Sequence, residues 1–240
     1  MTKPSFMVIG VQKSGTTTLF VWLKDHPLIR AHLTKKEIHY FDQNFGRGKT
    51  WYESQFPKLG KNEVAFEASP CYIFYPEVPK LIQGMYNKIK FITIMRNPMD
   101  RAFSLYQYNR RKGYEPYSFK KALELEEERL VKNRRSYDIF GYKKRGMYGE
   151  QVERWLKYFP KEQCLFMQSE ELWRNVTKNY TKIIEFLGLP VIIPNSVKRK
   201  KAYNKGFIKG NLKDRDLLKG YFDESNEKLY SLIGERYDWD

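Results

Sequence analysis

Residues 6–23 pass from an apolar, strand-length segment (Phe6 to Val11) through a glycine-flanked turn into an amphipathic stretch. This strand-turn-helix start constrains the fold more than any other part of the chain. Apolar runs of similar length recur at Val64 to Glu67, Ile89 to Met95 and Cys164 to Gln168, with stretches of helical spacing between them. Alternating strands and helices predict an α/β fold with a central, mainly parallel sheet flanked by helices. The first helix carries Leu19, Phe20, Trp22 and Leu23 and is expected to stop near His26-Pro27, because proline disfavours helix in the residue before it. Another is expected from Pro98, a good first-turn residue, with Ala102, Phe103, Leu105 and Tyr106 on its apolar side. Residues 119–134 read as an exposed charged helix, and Trp155, Leu156 and Phe159 as part of an amphipathic one. Residues 212–232 read as one long basic and aromatic helical end. With no internal repeat and no low-complexity linker, a single domain over residues 1–240 is expected.

The turn reads Val-Ile-Gly-Val-Gln-Lys-Ser-Gly-Thr-Thr at residues 8–17 and resembles a phosphate-binding loop with its lysine displaced. In the Walker A pattern the lysine follows the second glycine; here Thr16 follows Gly15, and Lys13 lies inside the loop. Backbone N–H groups of a glycine turn that opens a helix still form an anion nest. Lys13, Ser14, Gly15, Thr16, Thr17 and Thr18 are therefore candidate phosphate-binding residues, with Lys13 aimed at a transferring group. The plainer alternative is a glycine turn that serves architecture alone.

A second anion candidate lies where a strand ends in Arg96 and a helix begins at Pro98, with Ser104 about two turns further on. Both side chains can face the crevice that open α/β sheets use for ligands. The competing reading is a local cap or ion pair for Arg96 and an ordinary helix-surface position for Ser104. A third segment, Lys35-Lys-Glu-Ile-His-Tyr-Phe-Asp42, places an acid, an imidazole and bases together. In extended chain Glu37 and His39 share a face, so Glu37 is a candidate general base, kept ionised by a flanking lysine. Solvated charges on a loop are the alternative.

A formal net charge of +16 favours an anionic partner such as a nucleotide, an acidic glycan, nucleic acid or a lipid surface. The two cysteines, Cys71 and Cys164, form no CxxC or Cys/His cluster, so neither a disulfide framework nor a metal site is expected. The chain enters its first strand almost at once and holds no membrane-length apolar run, so a cytoplasmic location is expected. A lumenal catalytic domain trimmed of its anchor would look the same.

Five segments carry a family resemblance: Gly-Val-Gln-Lys-Ser-Gly-Thr-Thr, Lys-Glu-Ile-His-Tyr-Phe-Asp, Glu-Ala-Ser-Pro-Cys-Tyr, Ile-Met-Arg-Asn-Pro-Met-Asp-Arg-Ala-Phe-Ser-Leu-Tyr and Tyr-Gly-Glu-Gln-Val-Glu-Arg-Trp-Leu-Lys-Tyr-Phe-Pro. In this order, continued by Asn204-Lys205-Gly206 and the ending Gly-Glu-Arg-Tyr-Asp-Trp, the set resembles the PAPS-dependent sulfotransferases, specifically the heparan sulfate N- and 3-O-sulfotransferase branch. The resemblance implies a P-loop-like three-layer fold and transfer of a sulfuryl group from PAPS to a hydroxyl or amine, with PAP (3′-phosphoadenosine 5′-phosphate) released and no metal required. It implies that residues 13–18 hold the 5′-phosphosulfate, with Lys13 stabilising charge on the bridging oxygen. It further implies Glu37 as catalytic base with His39 in support, and Arg96, Ser104, Lys205 and Gly206 around the 3′-phosphate.

Two departures bear on the acceptor. Glu67-Ala68-Ser69-Pro70 stands where glycan-modifying relatives commonly have Glu-Lys-Thr-Pro, and the cysteine pair that staples a loop in the animal enzymes is absent. The expected acceptor is therefore a carbohydrate, a glycolipid or a small natural product. The rival expectations are a P-loop nucleotide phosphotransferase, against which the displaced lysine argues, and a non-catalytic polyanion- or nucleic-acid-binding protein. The net charge, 18 tyrosines and 16 phenylalanines permit the second rival.

Overall fold

Five segments pair into one sheet in a computed structural model that describes residues 1–33, 37–132, 134–198 and 212–239. The strands are β1 (Phe6–Gly10), β2 (Ile29–Ala31), β3 (Val64–Ala68), β4 (Lys90–Met95) and β5 (Cys164–Gln168), and their spatial order is β2-β3-β1-β4-β5. All four pairings are parallel: β1 lies between β3 (Phe6 opposite Phe66) and β4 (Val8 opposite Ile92), with β2 and β5 at the edges. Strands covered on both faces read as near-continuous apolar runs, which is why β1, β3, β4 and β5 stand out in the sequence. The edge strand β2 does not. It is three residues long, and its Arg30 forms an ion pair with Glu63.

The described chain divides into two compact units, Met1–Met95 with Arg154–Lys201, and Arg96–Glu153 with Ala202–Asp240. The first contains the whole sheet. Side chains of a strand alternate between faces, so Phe6, Val8, Ile92 and Ile94 share one side. There they pack with Leu19, Trp22 and Leu23 of the helix Thr16–Lys24 and with Tyr180, Ile183 and Ile184 of the helix Val176–Leu187. Phe91 points the other way, meeting Trp155 and Phe159 at ring-centroid distances of 4.9 and 4.5 Å. Helices on both faces of a parallel sheet make the expected three layers. Phe159 falls just past the helix Tyr148–Leu156, where its N–H and that of Tyr158 bond to the Trp155 carbonyl.

The second unit is helical. The helix Pro98–Arg111 starts where its proline predicts, and Asn97 caps it by accepting the N–H groups of Met99 (3.0 Å) and Asp100 (3.3 Å). The segment 119–134 corrects the expectation of one exposed charged helix. It forms two short helices, Phe119–Glu124 and Glu126–Leu130, and a third, Arg134–Phe140, begins at its end. Phe119, Ala122 and Leu123 are buried against Phe103, Tyr106 and Tyr142. Glu126, wholly buried, accepts the N–H groups of Lys143 (2.7 Å) and Lys144 (2.8 Å). The charge of this stretch hid an apolar stripe at helical spacing. Residues 212–232 likewise form two helices, Leu212–Asp216 and Asp223–Ile233, rather than one. Between them Gly220 takes φ 74°, a left-handed conformation that glycine adopts without strain and that a continuous helix excludes.

Candidate active site

The loop after β1 is built for close approach to its backbone. Lys13 has φ 75° and Gly15 φ 91°. A left-handed lysine is uncommon and strained, and such strain persists where the surrounding structure enforces it. At Gly15 a Cβ would overlap the ring of Trp173, so glycine is required there for space as well as for φ. Trp173 is itself fixed: its Nε1 donates to Ser169 Oγ (3.1 Å), and that hydroxyl donates to the Ser14 carbonyl (3.0 Å). Gly15 caps the helix Thr16–Lys24 without a side-chain hydrogen bond. The first N–H groups of any helix lack an internal acceptor, and their partial positive charge attracts an anion. The hydroxyl of Ser14 is buried with no hydrogen-bond partner among the described residues. An unmatched buried donor, two left-handed residues and an uncapped helix start fit a phosphate or sulfate group.

In the same unit Glu37 and His39 come together, as expected, by a different backbone route. His39 is left-handed (φ 51°), not extended, and leads into a π-type turn, Tyr40–Asn44. Its ring spans two carboxylates, with Nε2 at 3.0 Å from Glu37 Oε2 and Nδ1 at 2.8 Å from Asp42 Oδ2. Two carboxylate acceptors make both ring nitrogens donors. Burial works against the charge, but the hydrogen bonds to Asp42 and Glu37 outweigh it and push the imidazole up to about 10. His39, a cation at neutral pH, therefore orients the half-buried Glu37 carboxylate. The flanking Lys35 and Lys36 lie outside the described residues.

Sequence reasoning did not single out Asp42, although its place three residues after His39 was a signal. It also gave no role to Glu67, which is fully buried at the end of β3. Glu67 accepts hydrogen bonds from Ser69 Oγ (2.8 Å), from the Tyr72 hydroxyl (3.2 Å) and from the Tyr52 hydroxyl. Burial pushes this carboxyl up to about 7 against the pull of those hydroxyls. Ala68 beside it is buried in the apolar cluster of the sheet and presents no cation.

In the second unit Arg96 and Ser104 are 1% and 5% exposed, which removes the reading of Ser104 as a helix-surface residue. The Arg96 carbonyl accepts the Tyr148 hydroxyl at 3.0 Å. Lys205 and Gly206 lie outside the described residues. Among the described residues no helix is long and apolar enough to cross a membrane.

A strand running into a strained glycine loop and a helix thus lies in the same unit as the Glu37 carboxylate and the His39 imidazole. The family described as the sulfotransferase domain matches residues 3–228. The chain belongs to the sulfotransferase family. Within it, the mouse heparan sulfate glucosamine 3-O-sulfotransferase 3B1 is 28% identical over 263 residues, covering 99% of this chain and 65% of that enzyme. The human 3-O-sulfotransferase 5 is 29% identical over 262 residues, covering 98% of this chain and 74% of that protein. This sulfotransferase-family chain thus spans about two thirds of the first of these relatives. Among solved structures, a sulfotransferase from Alicyclobacillus acidocaldarius superposes with TM-score 0.85 at 28% identity, over 99% of this chain and 98% of that one. A mouse sulfotransferase complexed with PAP shares the fold, with TM-score 0.53 at 20% identity over 95% of this chain and 82% of that one.

Proposed function

We propose that this chain is a PAPS-dependent sulfotransferase acting on a hydroxyl or amine of a carbohydrate, a glycolipid or a small natural product, as one catalytic domain. The observation that carries the reading is the strained Lys13 loop with its unmatched Ser14 hydroxyl, in a chain of the sulfotransferase family. Bound there, PAPS supplies an activated sulfuryl group. Residues 13–18 hold the 5′-phosphosulfate, and Arg96 and Ser104, with Lys205 and Gly206, hold the 3′-phosphate. Glu37 takes the proton of the acceptor O–H or N–H as the new bond to sulfur forms. Lys13 and the first N–H groups of the helix Thr16–Lys24 stabilise negative charge on the oxygen whose bond to sulfur breaks, and that oxygen leaves with PAP. His39 holds the Glu37 carboxylate in place throughout. No metal is assigned a role.

The names of the relatives favour a sugar hydroxyl as acceptor, while Ala68, where glycan-modifying members carry lysine, favours one smaller or less acidic than heparan sulfate. A cytoplasmic location is part of the proposal, supported by two buried cysteines that form no disulfide.

The test is thermal unfolding with PAP in chelator-treated buffer, compared with ATP plus Mg²⁺. At about a hundred times its dissociation constant PAP should add roughly 2.7 kcal/mol of stability. A response to ATP plus Mg²⁺ alone would refute the proposal. In Glu37→Gln, turnover should collapse while PAP affinity stays within about twofold, since the base serves the acceptor side. An equal loss of both would make Glu37 structural.

A further inference from the structure

The proposed chemistry leaves a buried carboxyl in the core of the first unit unused. Glu67 has no solvent exposure, and three hydroxyls, from Tyr52, Ser69 and Tyr72, point their protons at it. Burying a carboxyl in this way is costly, so its neighbours indicate what it does. A hydroxyl that donates its proton keeps lone pairs to accept with. Ser69 Oγ accepts the His39 N–H at 3.3 Å, and the Tyr72 hydroxyl accepts the N–H groups of Tyr40 (2.8 Å) and Phe41 (3.3 Å).

These three consecutive N–H groups lie at the head of the turn Tyr40–Asn44, where a helical backbone has no internal acceptor for them. One buried carboxylate, acting through two hydroxyls, therefore ties down three backbone groups at the point where His39 adopts φ 51°. The left-handed residue and the tight turn are what bring Asp42 Oδ2 to 2.8 Å from His39 Nδ1 and leave Nε2 free to meet Glu37 at 3.0 Å.

We propose that Glu67 is a positioning residue: through Ser69 and Tyr72 it holds the left-handed turn that aligns Glu37, His39 and Asp42. The proposal rests on Glu37 serving as the base. Glu67 performs this role as the ionised acceptor. Protonated, it donates a hydrogen bond itself and competes with the three N–H groups for the oxygens of Ser69 and Tyr72. The ionisable groups facing it are Asp42 from the turn, Tyr52 from the helix Gly48–Ser54, and Tyr72 and Tyr86. The Asp42 carboxylate raises the cost of ionising Glu67, which ties Glu67 electrostatically to the cluster that holds His39.

Tyr72→Phe removes one hydroxyl and keeps the ring that packs edge-on against Phe41 at 5.6 Å, so it preserves the core. Glu67→Gln keeps the shape and removes the charge. The primary readout is the ¹⁵N signature of the His39 imidazole, one of only three histidines in the chain. In the unsubstituted protein both ring nitrogens stay protonated until pH approaches about 10. In both variants the titration should fall by about one to two pH units as the two carboxylates lose their grip.

With the acceptor found, kcat should drop about 10- to 100-fold in the same variants, while the dissociation constant for PAP stays within about twofold. The kcat profile of the unsubstituted enzyme should rise through about pH 7, a limb that Glu67→Gln lacks. An unchanged His39 titration in folded Tyr72→Phe overturns the proposal, and this variant decides alone if Glu67→Gln fails to fold. If the unsubstituted protein does not bind PAP, the sulfotransferase reading fails, and the imidazole titration still decides whether Glu67 positions the turn.

Discussion

His39 makes the pH dependence of folding a direct test of the cluster. The imidazole is raised from 6.5 to about 10 in the fold, so the native state binds its proton more tightly than the unfolded chain does. The stabilisation is then complete below the unfolded value, about 6.5, shrinks as pH rises, and is gone above about 10. At about 1.4 kcal/mol per tenfold change in proton affinity, the ceiling is about 5 kcal/mol. Glu37 is 35% exposed and His39 22%, so solvent screens the Glu37 contact, and the expected contribution is about 2–3 kcal/mol. The assay is urea unfolding of the unsubstituted protein and of His39→Gln at half-unit steps from pH 6.5 to 10.5. The stability difference between the two should shrink by about 2–3 kcal/mol over that range. Glu67 contributes between 4.5 and about 7 in both proteins and largely drops out of the difference. Parallel pH profiles would refute the protonated, doubly bonded imidazole.

Three further outcomes are expected. Lys13→Ala should lower turnover by about 10²- to 10³-fold, the range for one preorganised donor to a developing charge; unchanged turnover would remove Lys13 from the reaction. Gly15→Ala combines a left-handed alanine with overlap of the Trp173 ring and should cost about 2–5 kcal/mol in chemical denaturation, along with most PAP binding. Should Trp173→Ala restore neither stability nor binding to Gly15→Ala, the overlap is not the cause. In the second unit Glu115, whose side chain is fully buried, pairs with Arg129 and accepts the Tyr142 hydroxyl at 2.9 Å. Glu115→Gln strands the arginine charge and should cost about 3–5 kcal/mol, measured as a shift in the urea midpoint.

What the sequence disclosed follows from how locally each feature is encoded. The strand, loop and helix of residues 6–24 lie in one contiguous stretch, and the four apolar strands carry their burial in their own composition. Arg96 and Ser104 could be placed because an apolar strand ends just before Arg96 and a proline marks the start of the helix that carries Ser104. The edge strand β2 was not legible, since it is defined by pairing with Val64 to Phe66 and not by its own side chains. Residues 119–134 misled because surface charge outnumbers the buried stripe of Phe119, Leu123 and Leu130. Glu37 and His39 were rightly paired on a wrong backbone premise, because the left-handed turn at His39 depends on hydroxyls some thirty residues away. Glu67 was invisible as more than a motif letter, since its burial and its three donors exist only once β3, Tyr52 and Tyr72 have assembled.

The second unit is discontinuous in the chain, and this has a consequence for how the protein is made. The aromatic cluster around Phe103, Phe119 and Tyr142 is closed by Leu218 and Phe222, and Asn97 donates to the carbonyl of Trp239. A ribosome adding roughly 5–20 residues per second needs about 4–15 s after Tyr142 to deliver those closing residues. Through that interval the cluster lacks Leu218 and Phe222, and the part of its apolar face that they cover stays open. The nascent chain is then a natural client for a chaperone, and a stall or premature stop between Tyr142 and Leu218 releases a product that is sticky for a reason unrelated to its catalytic residues.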